Sequence, residues 1–205
     1  MSCSLYAQIS IIDKPIIFNE ERIKLSKQYI LNRYKKEVQN IQIIPHIIVI
    51  HWTATNSFEE SFNHFLKPRL SSDRTDIQEA SALNVSAHFL VDRDGTIYKL
   101  MPETFMARHT IGLNYSSLGI ENVGGKGDKN NLTSAQLASN IALIEYLQHK
   151  YKNIEYLIGH SEYTNFTDHK LWLENDKNYR TTKYDPGKEF MFKLRQHFPS
   201  LKGNP

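Results

Sequence analysis

The run HIIVIH at positions 46–51 restricts what this chain can fold into more than any other stretch. Four branched apolar residues in succession, with no alternating polar face, form a buried strand. A buried strand needs strands beside it and helices over it, and the flanking sequence supplies both. Thr133 and Gln136 form a capping box ahead of a helix in which Leu137, Ile141, Ile144, Leu147 and Tyr151 recur at helical spacing. Ser57 and Glu60 are spaced the same way at the head of SFEESFNHFL. Asn19 caps a helix reading EERIKLSKQYILNRYKKE, with Ile23, Ile30, Leu31 and Tyr34 on one face. SAHFLVDRDGTIYKL reads as a hairpin turning at Asp94 and Gly95. SLGIENVGG and IEYLIGH read as further strands, and DPGKEFMFKLRQHF opens a last helix. Residues 67–84 and 161–182 show no period.

This alternation of strands and helices predicts an α/β fold: one domain with a central mixed β-sheet flanked by helices. The chain's 205 residues suit one domain with an appendage. The expected division is an N-terminal extension with one helix at 1–44, the main domain at 45–198 and a tail at 199–205.

Lys and Arg number 25 against 22 Asp and Glu, a net charge of +3 with no long basic run. That argues against a nucleic-acid partner and leaves room for weak attraction to an anionic polymer. Cys3 is the single cysteine, so a metal site must draw on His, Asp or Glu. No apolar stretch reaches the length of a membrane span, and no signal-peptide core follows Met1. The chain is therefore expected to be cytoplasmic, or a mature form whose signal has been removed. In the second case Cys3 is a candidate lipid acceptor; otherwise it is a free thiol near a frayed end.

Two strands end alike. VIHWT delivers His51 and LIGHSE delivers His160, each after an apolar run. Sites in open α/β sheets form beyond the strand ends, so neighbouring strands would bring both imidazoles to one pocket. A catalytic zinc site takes three protein ligands and leaves a fourth position to water. Asp185 in KYDPG is the candidate third ligand; an aspartate before proline is also an ordinary helix cap. Glu121 is a carboxylate inside an apolar strand, costly there unless paired or used; on an edge strand it would simply face solvent. Lys183, two residues before Asp185, points the same way in an extended segment. It is either a cation for an oxyanion or a solvated surface lysine.

Taken in order, VIHWTAT, VSAHFLVDRDGTIY, ARHTIG, SLGIENVGG, LIGHSE and KYDPG resemble the type-2 N-acetylmuramoyl-L-alanine amidases, over about residues 45–198. The resemblance implies a zinc ion held by His51, His160 and Asp185, with Glu121 as the catalytic acid–base group. It also implies Lys183 as a transition-state cation. The implied reaction is cleavage of the amide between the lactyl group of N-acetylmuramic acid and L-alanine, in peptidoglycan or a muropeptide. That function places the chain in the cell envelope or periplasm, and cell-wall degradation and recycling are the processes it would serve. His109 is expected to line the substrate groove, Trp52 to stack on substrate or join the core, and His88 to be structural. The same fold can also bind peptidoglycan without cleaving it; loss of a ligand would signal that, and all three are present. No H-E-x-x-H stretch supports a zinc peptidase of another lineage. The 24 residues between His160 and Asp185 exceed the short loop of compact members and are expected to shape access to the pocket.

Overall fold

A computed structural model describes residues 9–72, 75–127 and 129–205; Cys3 lies outside the described residues. The elements run β1 (Ile11–Asp13), α1 (Glu20–Tyr34), β2 (Ile47–Trp52), α2 (Phe58–Leu66), α3 (Thr75–Gln78), β3 (Phe89–Val91) and β4 (Ile97–Lys99). They continue with β5 (Ser117–Asn122), α4 (Ser134–Lys150), β6 (Tyr156–Gly159), a 3-10 helix (His160–Phe166) and α5 (Lys188–Arg195). Six strands make one sheet in the order β1-β4-β3-β5-β2-β6. The β3–β4 hairpin is antiparallel and the other pairs are parallel. This is the expected mixed sheet between helices. Among the described residues no helix is long and apolar enough to cross a membrane.

Strand residues alternate between faces, and the two faces feed different cores. Ile48 and Ile50 of β2, Leu118 and Ile120 of β5 and Leu157 of β6 pack with Leu143, Ile144 and Leu147 of α4 and Leu194 of α5. Ile47 and Val49 of β2, with Tyr156 and Ile158 of β6, join Leu113, Tyr163 and Phe166 instead. By the same alternation His51, Glu121 and the residue after β6, His160, belong to this second face. The site therefore follows from strand parity.

The local signals behave as read. Thr133 and Gln136 form the reciprocal capping box of α4, and Ser57 Oγ accepts from the Glu60 N–H at the start of α2. Asn19 caps α1 by accepting from the Arg22 N–H. The buried face of α1 differs from the expected one. Leu31 is exposed, while Arg22 and Ser26 are buried beside Leu25, Tyr29, Ile30 and Tyr34. The cause is Arg22, whose guanidinium donates to the carbonyls of Ile17, Phe65 and Lys67 at 2.7–3.0 Å. That turns a polar residue inward where apolar periodicity puts none. The helix also stops at Tyr34 rather than running on to Glu37, with Lys35 left-handed at φ 53°. The Arg33 carbonyl accepts both from the Asn175 N–H and from Asn175 Nδ2, a cap from a distant segment.

Both ends of the described chain seal the sheet. β1 pairs with β4 at one edge. At the other, Leu157 of β6 donates to the Lys202 carbonyl and Lys202 donates to that of Glu155. Leu201 is buried in the larger core. Paired edges leave fewer backbone groups open to another chain.

Candidate active site

β2 lies between β5 and β6. His51 and Glu121 are register partners across β2 and β5, and Ile50 pairs with Gly159, the residue before His160. Three neighbouring strand ends thus bring His51, Glu121 and His160 to one level on one face. Asp185 completes the group. Its Oδ2 lies 3.2 Å from His51 Nδ1 and 3.1 Å from His160 Nδ1, and the two Nδ1 atoms are 3.0 Å apart. All three residues are buried. Asp185 does not cap α5: the capping position is Gly187, with no side-chain bond. The carboxylate is spent on the imidazoles.

Burial pushes His51 down to about 4, with His160 acting in the same direction against Asp185. Burial alone would raise Asp185, but His160 and His51 together outweigh it and hold its carboxyl well below the usual range. One carboxylate oxygen and two imidazole nitrogens gathered this closely form a donor set that fits a metal ion.

Glu121 is not on an edge. β5 is interior, and the side chain is buried with Oε2 lacking a hydrogen-bond partner among the described residues. Burial raises its carboxyl well above the usual range, Asp185 adds to this, and Lys183 opposes it. A partnerless buried carboxylate at the mouth of a donor set is poised to take up and hand on a proton. Lys183 is partly buried and lines the same cleft, a cavity of about 350 Å³.

His109 and Trp52 also line the cleft. The Trp52 ring lies against Gly125, where a Cβ would come within 2.0 Å of it, and only 8% of the residue is exposed. His109 lies over Gly119 of β5, where a Cβ would fall 2.8 Å from the ring. Burial, then His51, keeps its imidazole well below the ordinary value and so neutral. Its backbone is set by Asn114, whose Oδ1 accepts from the N–H groups of His109 and Thr110 at 2.8 and 2.7 Å.

Residues 41–188 match the N-acetylmuramoyl-L-alanine amidase family (Amidase_2). The chain belongs to that family. The endolysin of Escherichia phage T7 is 37% identical over 79 residues, which is 37% of this chain and 52% of the relative. The endolysin of Enterobacteria phage T3 aligns to the same extent, so the match spans about half the length of these curated relatives. The fold is also that of the amidase endolysin LysCS from Clostridium intestinale. The TM-score is 0.54 at 22% identity, covering 96% of this chain and 99% of that one. Apis mellifera PGRP-SA superposes with a TM-score of 0.55 at 20% identity, covering 96% of this chain and all of that one.

Within this amidase-family fold the cleft wall holds residues no motif announced. Tyr29 comes from α1, and Tyr179 and Thr181 come from the segment between His160 and Asp185. Arg108 Nη2 donates to the Ile77 carbonyl at 3.0 Å and to Tyr179 Oη at 3.3 Å. Arginine and asparagine in a loop carry no periodic signal. Only the ARHTIG context pointed to this stretch, through His109.

Proposed function

We propose that this chain is a zinc-dependent amidase that cleaves between N-acetylmuramic acid and L-alanine in peptidoglycan or its fragments. The observation that carries the reading is the meeting of His51 Nδ1, His160 Nδ1 and Asp185 Oδ2 beside the partnerless Glu121 carboxylate. His51, His160 and Asp185 would hold the zinc. When bound, the ion supplies a Lewis acid for the scissile carbonyl and lowers the pKa of water.

The chain's own groups account for the rest. Glu121 takes the proton from the attacking water and returns it to the leaving amine, a task suited to a raised carboxyl pKa. Lys183 offsets the negative charge that develops on the carbonyl oxygen, where a positioned cation acts most strongly in a partly dry cleft. Trp52, nearly buried against Gly125, meets the substrate as part of the cleft lining. Tyr179 and Thr181 form a wall that limits which part of a glycan strand or stem peptide enters.

The test is incubation of the full chain with purified peptidoglycan and with defined muropeptides, followed by mass detection of free stem peptide. Release that stops on chelation and returns with zinc is the expected result. Binding without release, with zinc loaded, would make the protein a recognition module and overturn the reading.

A further inference from the structure

The histidine ring nitrogens around the site can be assigned one after another, starting from a serine. Ser117 has one hydroxyl proton, and the Leu113 carbonyl 2.8 Å away can only accept it. The Ser117 oxygen is therefore free to accept from His109 Nε2, 3.2 Å away. A neutral His109 with its proton on Nε2 has a bare Nδ1. That Nδ1 lies 3.0 Å from His51 Nε2, so His51 is the donor and carries its proton on Nε2. Thr110 Oγ1 is 2.9 Å from His109 Nδ1 and 3.5 Å from His51 Nε2. Whichever way its hydroxyl points, a proton on His51 Nε2 avoids setting two lone pairs against each other. The remaining nitrogen, His51 Nδ1, is then a bare lone pair, and in the metal-free protein the proton that keeps it, Asp185 Oδ2 and His160 Nδ1 from facing one another as three acceptors sits on His160 Nδ1.

We propose that His109, held by Ser117, is a positioning residue that fixes His51 in its Nε2–H form and so commits Nδ1 of His51 to the metal. The inference rests on the metal-site reading above and changes the part His109 plays. Both of its ring nitrogens are engaged within the protein, so its polar atoms serve the ligand rather than the substrate. Gly119 belongs to the device, since any side chain there would displace the His109 ring. Outer partners of this kind set the tautomer and orientation of a ligating imidazole.

Two measurements on the full chain test this. The first is a long-range proton–nitrogen correlation spectrum of metal-free, histidine-labelled protein. It should show His51 and His109 both protonated at Nε2, a signature that a merely space-filling His109 would not impose on His51. The second is zinc affinity by competition with a chromophoric chelator. His109→Leu should weaken binding by roughly 10- to 100-fold. His109→Gln, whose amide oxygen can accept from His51, should recover most of the loss, and Ser117→Ala should fall between. A His51 proton on Nδ1 in the wild type, or wild-type zinc affinity in His109→Leu, overturns the proposal. Should His109→Leu fail to fold, the wild-type spectrum decides alone. A wild type that binds no zinc at all sinks the metal-site reading, while the spectrum still judges the relay.

Discussion

Arg33, in the last turn of α1, holds Glu174 of the segment between His160 and Asp185 by two hydrogen bonds of 3.1 and 2.8 Å. The Glu174 side chain is fully buried and Arg33 nearly so, at 14% exposure. The same guanidinium lies 4.4 Å from the centre of the Tyr179 ring. The N-terminal segment, outside the family match, thereby holds one wall of the cleft.

Arg33→Met should destabilise the protein by roughly 1–3 kcal/mol, because it leaves the buried Glu174 carboxylate with the Asp176 N–H as its remaining donor. It should also raise KM more than it lowers zinc content, since Tyr179 loses the guanidinium over its ring and keeps only the bond from Arg108, while the three donor residues stay in place. Urea unfolding, metal analysis and kinetics on one preparation check this; unchanged KM would make the contact purely structural.

Glu121→Gln keeps the shape of the side chain and removes the charge. Burial favours the neutral form of this group, so the metal-free variant should be at least as stable as the wild type at pH 7. Its kcat should fall by roughly 10²- to 10⁴-fold with zinc content unchanged. Full kcat in the zinc-loaded variant would remove Glu121 from the chemistry.

Lys183 and Asp185 should separate in experiment. Asp185→Ala removes a ligand, so zinc affinity and rate should fall together. Lys183→Met leaves the donor set intact and removes a cation aimed at charge in the transition state. Losing one such group typically costs roughly 3 kcal/mol, about a hundredfold in kcat, with little effect on substrate binding. If Lys183→Met loses zinc as Asp185→Ala does, its part is to hold the metal-bearing loop.

His88, packed edge-on beneath His109, gives a pH signature of its own. Its Nδ1 accepts from the Gly119 N–H at 3.0 Å and its Nε2 donates to the Phe105 carbonyl at 2.9 Å, which leaves no place for a second proton. Burial lowers it to about 4, with Phe105 and Glu103 opposing. Between roughly pH 6.5 and 4 the unfolded chain binds a proton that the folded one refuses. Stability from this group is therefore complete above pH 6.5 and is lost as the pH falls, by about 1.4 kcal/mol per unit at most. His88→Gln, which offers an acceptor and a donor of its own, should show a shallower decline between pH 6.5 and 5.5. Equal slopes in urea unfolding would contradict the assignment.

Much of this protein was legible in its residues. HIIVIH could only be an interior strand, and the capping residues Asn19, Ser57 and Thr133 marked helix starts that the structure keeps, since these signals act within one turn. The ordered motifs pointed to the family. What a residue did across the fold was another matter. Glu121 read equally as solvent-facing or as costly and buried, and only the position of β5 inside the sheet decided it. Asp185 before Pro186 read either as a third ligand or as a helix cap, and the loop's approach to two strand ends made it a partner of His51 and His160. The buried face of α1 turned on Arg22 reaching carbonyls more than forty residues away. The cleft wall turned on Arg33 meeting Glu174 across the molecule. Periodicity and capping are short-range and leave a record in neighbouring residues. Strand order, buried charge pairing and loop docking are settled by partners distant in sequence, and they appear only when the chain is packed.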